Sequence, residues 1–267
     1  MKKKNSDPQI LSSVKNALRI LKSFSTFEPT QKVSDLAEEL GLAKSTVSRL
    51  LSTLASEGFV IKDEGTRDYR LGLSVLTLGG IVTNNLEIHN EAAPVLNRLV
   101  NDTGETAHLS ILDELDTIYI HKEECHHPVR ILTHIGRRNP SYCTGSGKVL
   151  LAFNDDDILE RVIEKGLVSY TENTITDPNK LRREMELIRK QGYSISTEEL
   201  TVGTRSVAAP IRDYTGRVVS SISVVGPIQR MKNGKIPGIT NKVVNAAKDA
   251  SERLGYDERY FRKFSKV

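Results

Sequence analysis

Two stretches of this chain hold side chains whose types and spacing suit chemistry with a partner. In the first, Val47, Leu50, Leu51 and Leu54 recur at i, i+3, i+4 and i+7, which turns Ser45, Ser48, Arg49 and Ser52 to the opposite side of a helix. Small hydroxyls let a helix sit deep in the major groove of DNA, and one arginine there can donate two parallel hydrogen bonds to guanine O6 and N7. Lys44 and Thr46 stand at the N-terminal end, where backbone N–H groups already favour phosphate. Serine is a mediocre helix former, and a purely solvated helix would carry Glu and Lys there. The second stretch is Thr144-Gly145-Ser146-Gly147-Lys148, a helix opening with two glycines.

Several other chemistries fail on spacing. A phosphate-binding loop needs glycine where Tyr142 stands and Ser or Thr where Val149 stands. A nucleophile elbow needs glycines two residues either side of Ser146, and Thr144 and Lys148 occupy those places. His121, Cys125, His126 and His127 are metal-ligand types, but their spacing matches no zinc motif, and Glu123 to Pro128 reads as a polar loop between strands. Cys143 reads as a small buried hydrophobe rather than a redox sensor. No nucleophile–base set and no paired carboxylates emerge, so we expect neither an enzyme nor a cofactor or metal.

The elements that must position these residues follow from periodicity. Val14, Ala17, Leu18, Ile20, Leu21 and Phe24 predict a first helix with Ser12 or Ser13 as cap. Ser34 can cap a second, which carries Leu36, Ala37 and Leu40 and stops at Gly41. Only Gly41-Leu42-Ala43 separates it from the helix of Val47, which is the helix-turn-helix pattern. Phe59 and Ile61, then Tyr69 and Leu71, predict a hairpin turning at Asp63-Glu64-Gly65, a wing whose Arg67 and Arg70 can touch the DNA backbone or minor groove. An apolar helix from Leu73 to Leu86 is read as a linker available for dimerisation. From Glu91 onward the pattern is mixed: helix Ala92–Val100, strands Ala107–Leu112, Thr117–Lys122 and Val129–Ile135, a loop over Gly136–Tyr142, and the helix opened by Thr144. Helices Asp156–Lys165 and from Pro178, strands near Tyr193–Thr197, Ser206–Arg212 and Val218–Val225, and a last helix Thr240–Leu254 complete it.

The formal charge of +4 is concentrated early: residues 1–70 hold 12 basic against 9 acidic side chains, the remainder 26 against 25. That permits a nucleic-acid partner. No apolar run approaches the ~20 residues of a membrane span. Three lysines in Met1–Asp7 are followed by no apolar segment, and two cysteines are too few for a disulfide framework. A cytoplasmic protein with no membrane partner is expected.

The ordered motifs resemble the IclR family of bacterial regulators along nearly the whole chain. They include Ala17-Leu18-Arg19-Ile20-Leu21, Gly41-Leu42-Ala43-Lys44-Ser45-Thr46 and Glu57-Gly58-Phe59-Val60 in the first part. In the second they include Thr144 to Ala152, Gly192-Tyr193, Glu198-Glu199, Gly203, Ala208-Ala209-Pro210-Ile211 and Ser221-Ile222-Ser223-Val224. The resemblance implies an α+β architecture: a winged helix-turn-helix over 1–72, a linker helix over 73–90 and a GAF-like effector-binding domain over 91–267. It also implies dimers, or dimers of dimers, and an effector pocket at Gly145, Ser146, Ser196, Ser206 and Ser223, with Ile131 and Ile135 as an apolar wall. Exposed N–H groups at Gly145 and Gly147 would seat a carboxylate, so a small organic acid is the expected effector. The chain departs from some members at Ser196, where they carry an acidic residue, and at Val225, where they carry serine. The expected function is a sequence-specific regulator, a repressor by the resemblance, reading a palindromic operator in double-stranded DNA. A DNA-binding protein whose second domain serves assembly alone is the alternative, along with an enzyme.

Overall fold

The structure is a computed structural model that describes residues 11–25, 28–84, 87–128 and 133–257. It divides into two compact units, Met1–Asn85 and Leu86–Val267. The first contains α1 (Ser12–Ser23), β1 (Thr30–Gln31), α2 (Val33–Leu40), α3 (Lys44–Ser56), β2 (Val60–Lys62), β3 (Tyr69–Leu71) and α4 (Leu73–Asn84). Its core joins Ile20, Leu36, Val47, Leu51, Val60 and Tyr69. Gly41 ends α2 in the left-handed region at φ 66°, and its N–H bonds back to the carbonyls of Ala37 and Glu38. The expected serine caps are displaced. Ser12, Ser13 and Ser34 lie inside α1 and α2, whose flanking residues are Leu11 and Lys32, and Ser34 donates to Asp35 at 2.8 Å.

The wing has three strands in the order β1-β3-β2. Its inward face carries Val60 and Tyr69, while Ile61 pairs with Arg70 on the outward face and is 36% exposed. The Phe59/Ile61 alternation therefore gave the wrong face of β2, because a one-residue change of register inverts every side chain. The connection is longer than expected, running from Asp63 to Asp68, whose backbone groups bond at 2.8 Å. Thr30–Gln31 pairs with β3, a two-residue strand that no periodicity can announce.

The second unit holds α5 (Glu87–Thr103), β4 (Thr106–Asp113), β5 (Asp116–Glu123), β6 (Arg138–Pro140), α6 (Gly145–Ala152), α7 (Asp156–Lys165), α8 (Pro178–Gln191), β7 (Ser194–Thr197), β8 (Thr204–Arg212), β9 (Val218–Pro227) and α9 (Ile236–Arg253). Six antiparallel strands form one sheet in the order β6-β5-β4-β9-β8-β7. Of the expected strand Val129–Ile135, residues 129–132 lie outside the described residues and 133–135 are not strand. The strand that pairs with β5 is Arg138–Pro140, inside the expected loop.

Alternation on the central strands divides the sheet into two faces. Ala107, Leu109, Val207, Ala209, Ile211, Ile222 and Val224 pack with α5 and α9 in one core. Ala208 joins the opposite core with α6, α7 and α8, and Ser194, Ser196, Ser206, Ser221 and Ser223 fall on that side. Register aligns those serines in rows across the strands. Thr106, Val225, Ser206 and Ser196 form one row, and His108, Ser223, Ala208 and Ser194 the next. Small side chains in these rows admit α6 close to the sheet. A Cβ on Gly147 would lie 2.2 Å from the Ser141 carbonyl oxygen, and one on Gly145 would lie 2.7 Å from Ser206 Oγ.

Candidate functional site

The first site is the outer face of α3. Val47 and Leu51 are fully buried, and Lys44, Ser45, Thr46, Ser48, Arg49 and Ser52 are all exposed. Arg67 and Arg70 are exposed on the wing. Among the described residues none of these four cations joins an ion pair, so their charge is available to phosphate or base edges. The wing tip is held by Asp63, whose Oδ1 accepts from Thr66 N at 2.8 Å, Gly65 N at 2.9 Å and Thr66 Oγ1 at 3.2 Å. Those bonds, led by the Thr66 amide, hold the Asp63 carboxyl below its ordinary range. Arg67 is exposed and takes φ 62°, in the left-handed region that few non-glycine residues adopt.

The second site is a cavity of about 60 Å³ where the serine rows meet the start of α6. Gly145, Ser146, Ser196, Ser206 and Ser223 all line it, so five of the seven residues expected at an effector pocket converge. Ile135 does not: it is 55% exposed and outside the lining. Among the described residues, Leu200 and Val225 are the aliphatic ones in the lining. Ile131 lies outside the described residues.

At the helix start, Thr144 Oγ1 accepts from Gly147 N at 3.1 Å, and Gly145 and Ser146 bring the next amides, which have no partner within the helix, to the cavity. Ser146 Oγ donates to Ser223 Oγ at 2.9 Å, and Ser196 Oγ lies 3.5 Å from the Cys143 carbonyl. Sequence reasoning missed Arg137 and Asn139, which enter from the segment leading into and forming β6. Asn139 is 3% exposed and its side-chain nitrogen has no hydrogen-bond partner. Among the described residues Arg137 forms no ion pair and no carboxylate lines the cavity. The Arg137 guanidinium and a helix N-terminus thus face it, a field that favours an anion.

Burial holds His108 neutral, lowering its pKa to about 3, with Lys122 and Arg137 adding to the effect. Its ring stacks on Tyr119 at 4.4 Å, and its Nε2 lies 2.6 Å from Thr133 Oγ1. Cys143 is fully buried and its thiol is pushed up to about 12, chiefly by burial and then by Glu199, so it stays protonated near neutrality. Lys148, 1% exposed, donates to Glu199 at 2.7 Å, Glu184 at 2.9 Å and the Ile195 carbonyl at 3.2 Å. The lysine of the Gly-Lys pair therefore anchors α6 to α8 and to the segment after β7, a structural role.

A helix-turn-helix with a wing, followed by a GAF-like unit, defines a DNA-binding transcriptional regulator. The model for the IclR helix-turn-helix domain matches residues 13–64, and that for the bacterial transcriptional regulator IclR C-terminal domain matches residues 81–252. The chain belongs to the IclR family. It is 33% identical over 257 residues to the HTH-type transcriptional regulator KdgR of Escherichia coli, covering 95% of this chain and 97% of that protein. The IclR regulator structure from Alicyclobacillus acidocaldarius superposes with a TM-score of 0.82 at 29% identity, covering 92% of this chain and all of that one. An IclR homologue from Microbacterium hydrocarbonoxydans, solved with 4-hydroxybenzoate, has the same fold at 24% identity and a TM-score of 0.80, covering 91% and 99%. These relatives are regulators, and the enzyme reading is set aside.

Proposed function

We propose that this regulator is a repressor whose operator affinity is set by a small carboxylate bound at the α6 cavity. The observation that carries the reading is the cavity lining, which among the described residues holds the Arg137 guanidinium, a helix N-terminus and no acidic side chain. The 4-hydroxybenzoate held by the Microbacterium protein is an anion of the same broad kind in the same fold. Lys44, Ser45, Thr46, Ser48, Arg49 and Ser52 read the major groove, while Arg67 and Arg70 contact the backbone or the minor groove.

Two copies read a palindromic operator with half-sites about one helical turn, or a multiple of it, apart. α4, within the connecting stretch 73–90, exposes Leu73, Leu76, Leu78 and Ile81, which supports its use in a dimer or dimer of dimers. Effector binding in 91–267 shifts the population between arrangements of the two reading heads, with coupling of about 1–3 kcal/mol. A protein that works on the bacterial chromosome works in the cytoplasm.

The test titrates DNA flanking the protein's own gene at two salt concentrations, with and without a panel of small acids. Sequence-specific binding weakened by one acid supports the reading. Binding that is weak, steeply salt-dependent and indifferent to sequence and acids sinks it.

A further inference from the structure

We infer that the effector is a small hydroxylated carboxylate, selected by Arg137 and Asn139. The inference rests on the sensor reading above and adds the chemical class. Size comes first. The cavity, about 60 Å³, is small, which favours a compact ligand over a bulky one.

Polarity comes next. Nine of the fifteen lining residues carry a hydroxyl, and Leu200 and Val225 are the aliphatic ones. The hydroxyls of Ser206 and Tyr119 make no hydrogen bond to a described residue, so they can serve a ligand. Asn139 decides the matter: its buried, unpartnered nitrogen is a donor that must meet an oxygen or remain unsatisfied. An alkyl or aryl group in its place would leave that donor stranded, and such sites reject analogues lacking the hydroxyl strongly. A guanidinium facing the same space takes the carboxylate, as a bidentate or single pair. A neutral polyol would leave the guanidinium and the α6 N-terminus without an anion.

Calorimetric titration of the full chain with D-glycerate, tartrate, butyrate, benzoate and glycerol tests this. Glycerate or tartrate should bind at least about tenfold more tightly than butyrate and benzoate, and glycerol should not bind. Arg137→Met and Asn139→Leu should each weaken the hydroxy acid by about tenfold or more and narrow its margin over butyrate. Unliganded melting temperature serves as the folding control, and Asn139→Asp gives a second route, since a carboxylate there repels the anion without adding volume. Preference for butyrate or benzoate, lost in Ser206→Leu, overturns the chemical class while leaving the sensor reading in place. Binding of the hydroxy acid unchanged in both Arg137→Met and Asn139→Leu overturns the selecting role. No acid binding and no acid effect on operator affinity sinks both together.

Discussion

Arg49 is the residue whose role is narrowest. It stands exposed on α3 between Ser48 and the buried Leu51 row, with no partner of its own. Arg49→Ala should cost about 1–3 kcal/mol of specific operator binding and relax preference at one base pair, read by competition against single-base operator variants. Unchanged affinity and preference would put the reading face elsewhere. His108 gives a prediction of a different kind. Folded, it gains a proton only near pH 3, and unfolded near 6.5, so the unfolded chain binds more protons in between. Stability is therefore present above the unfolded value and lost as pH falls from about 6.5 toward 3. Unfolding free energies from urea titrations between pH 6.5 and 5 should show a slope approaching about 1.4 kcal/mol per pH unit that His108→Gln removes. Identical slopes for the two proteins would mean another group carries the effect. Gly145 and Ser146 were legible at a helix start and Ser196, Ser206 and Ser223 through the family resemblance, yet Arg137 and Asn139 were not. Asn139 is the middle residue of the three-residue strand Arg138–Pro140 and Arg137 directly precedes it, and pairing of that strand with β5 brings both to the cavity.

Helices with sharp chemical ends were the most legible elements. Asp177 caps α8 by accepting from Lys180 N at 2.7 Å, with Pro178 in the first turn, and α7 begins and ends where its Asp and Lys termini place it. Strand pairs with few residues were not, because two or three positions carry no measurable period: β1 went unseen and the face of β2 was inverted. α6 is the element on which the cavity depends, and two substitutions test it. Gly147→Ala drives a methyl into the Ser141 backbone and should destabilise the second unit by about 1–3 kcal/mol or more, seen as a lower melting temperature. Lys148→Met leaves Glu199 buried without its cation and should cost about 3–5 kcal/mol, whereas little change would show that water reaches that carboxylate.

At the scale of the molecule, most of the excess positive charge resides in the first quarter of the sequence, and the proposed reading face of α3 belongs to that quarter. Operator affinity should fall steeply with salt, and Lys44→Ala should lower that slope by about one while weakening all sequences alike. A slope that does not change would mean Lys44 touches no phosphate. Self-association belongs to this scale too. Leu76→Glu on the exposed side of α4 should shift the sedimentation profile toward monomer and lower operator affinity, while an unchanged oligomer would free α4 from that role. The division into two units followed from the change of pattern near residue 90, since a chain that switches from short helices and a wing to long antiparallel strands must build a second core.

The outermost strand of the large sheet has a consequence for how such regulators diversify. Ser206 and Ser223 sit on strands paired on both sides, where a change disturbs two neighbours, but Arg137 and Asn139 arrive with β6, bonded along one side only and over three residues. That rim can be rewritten with little penalty to folding and none to the operator code. Ligand choice and gene choice can thus drift as independent traits, and grafting residues 136–140 between duplicated regulators should exchange what they sense while leaving where they bind untouched.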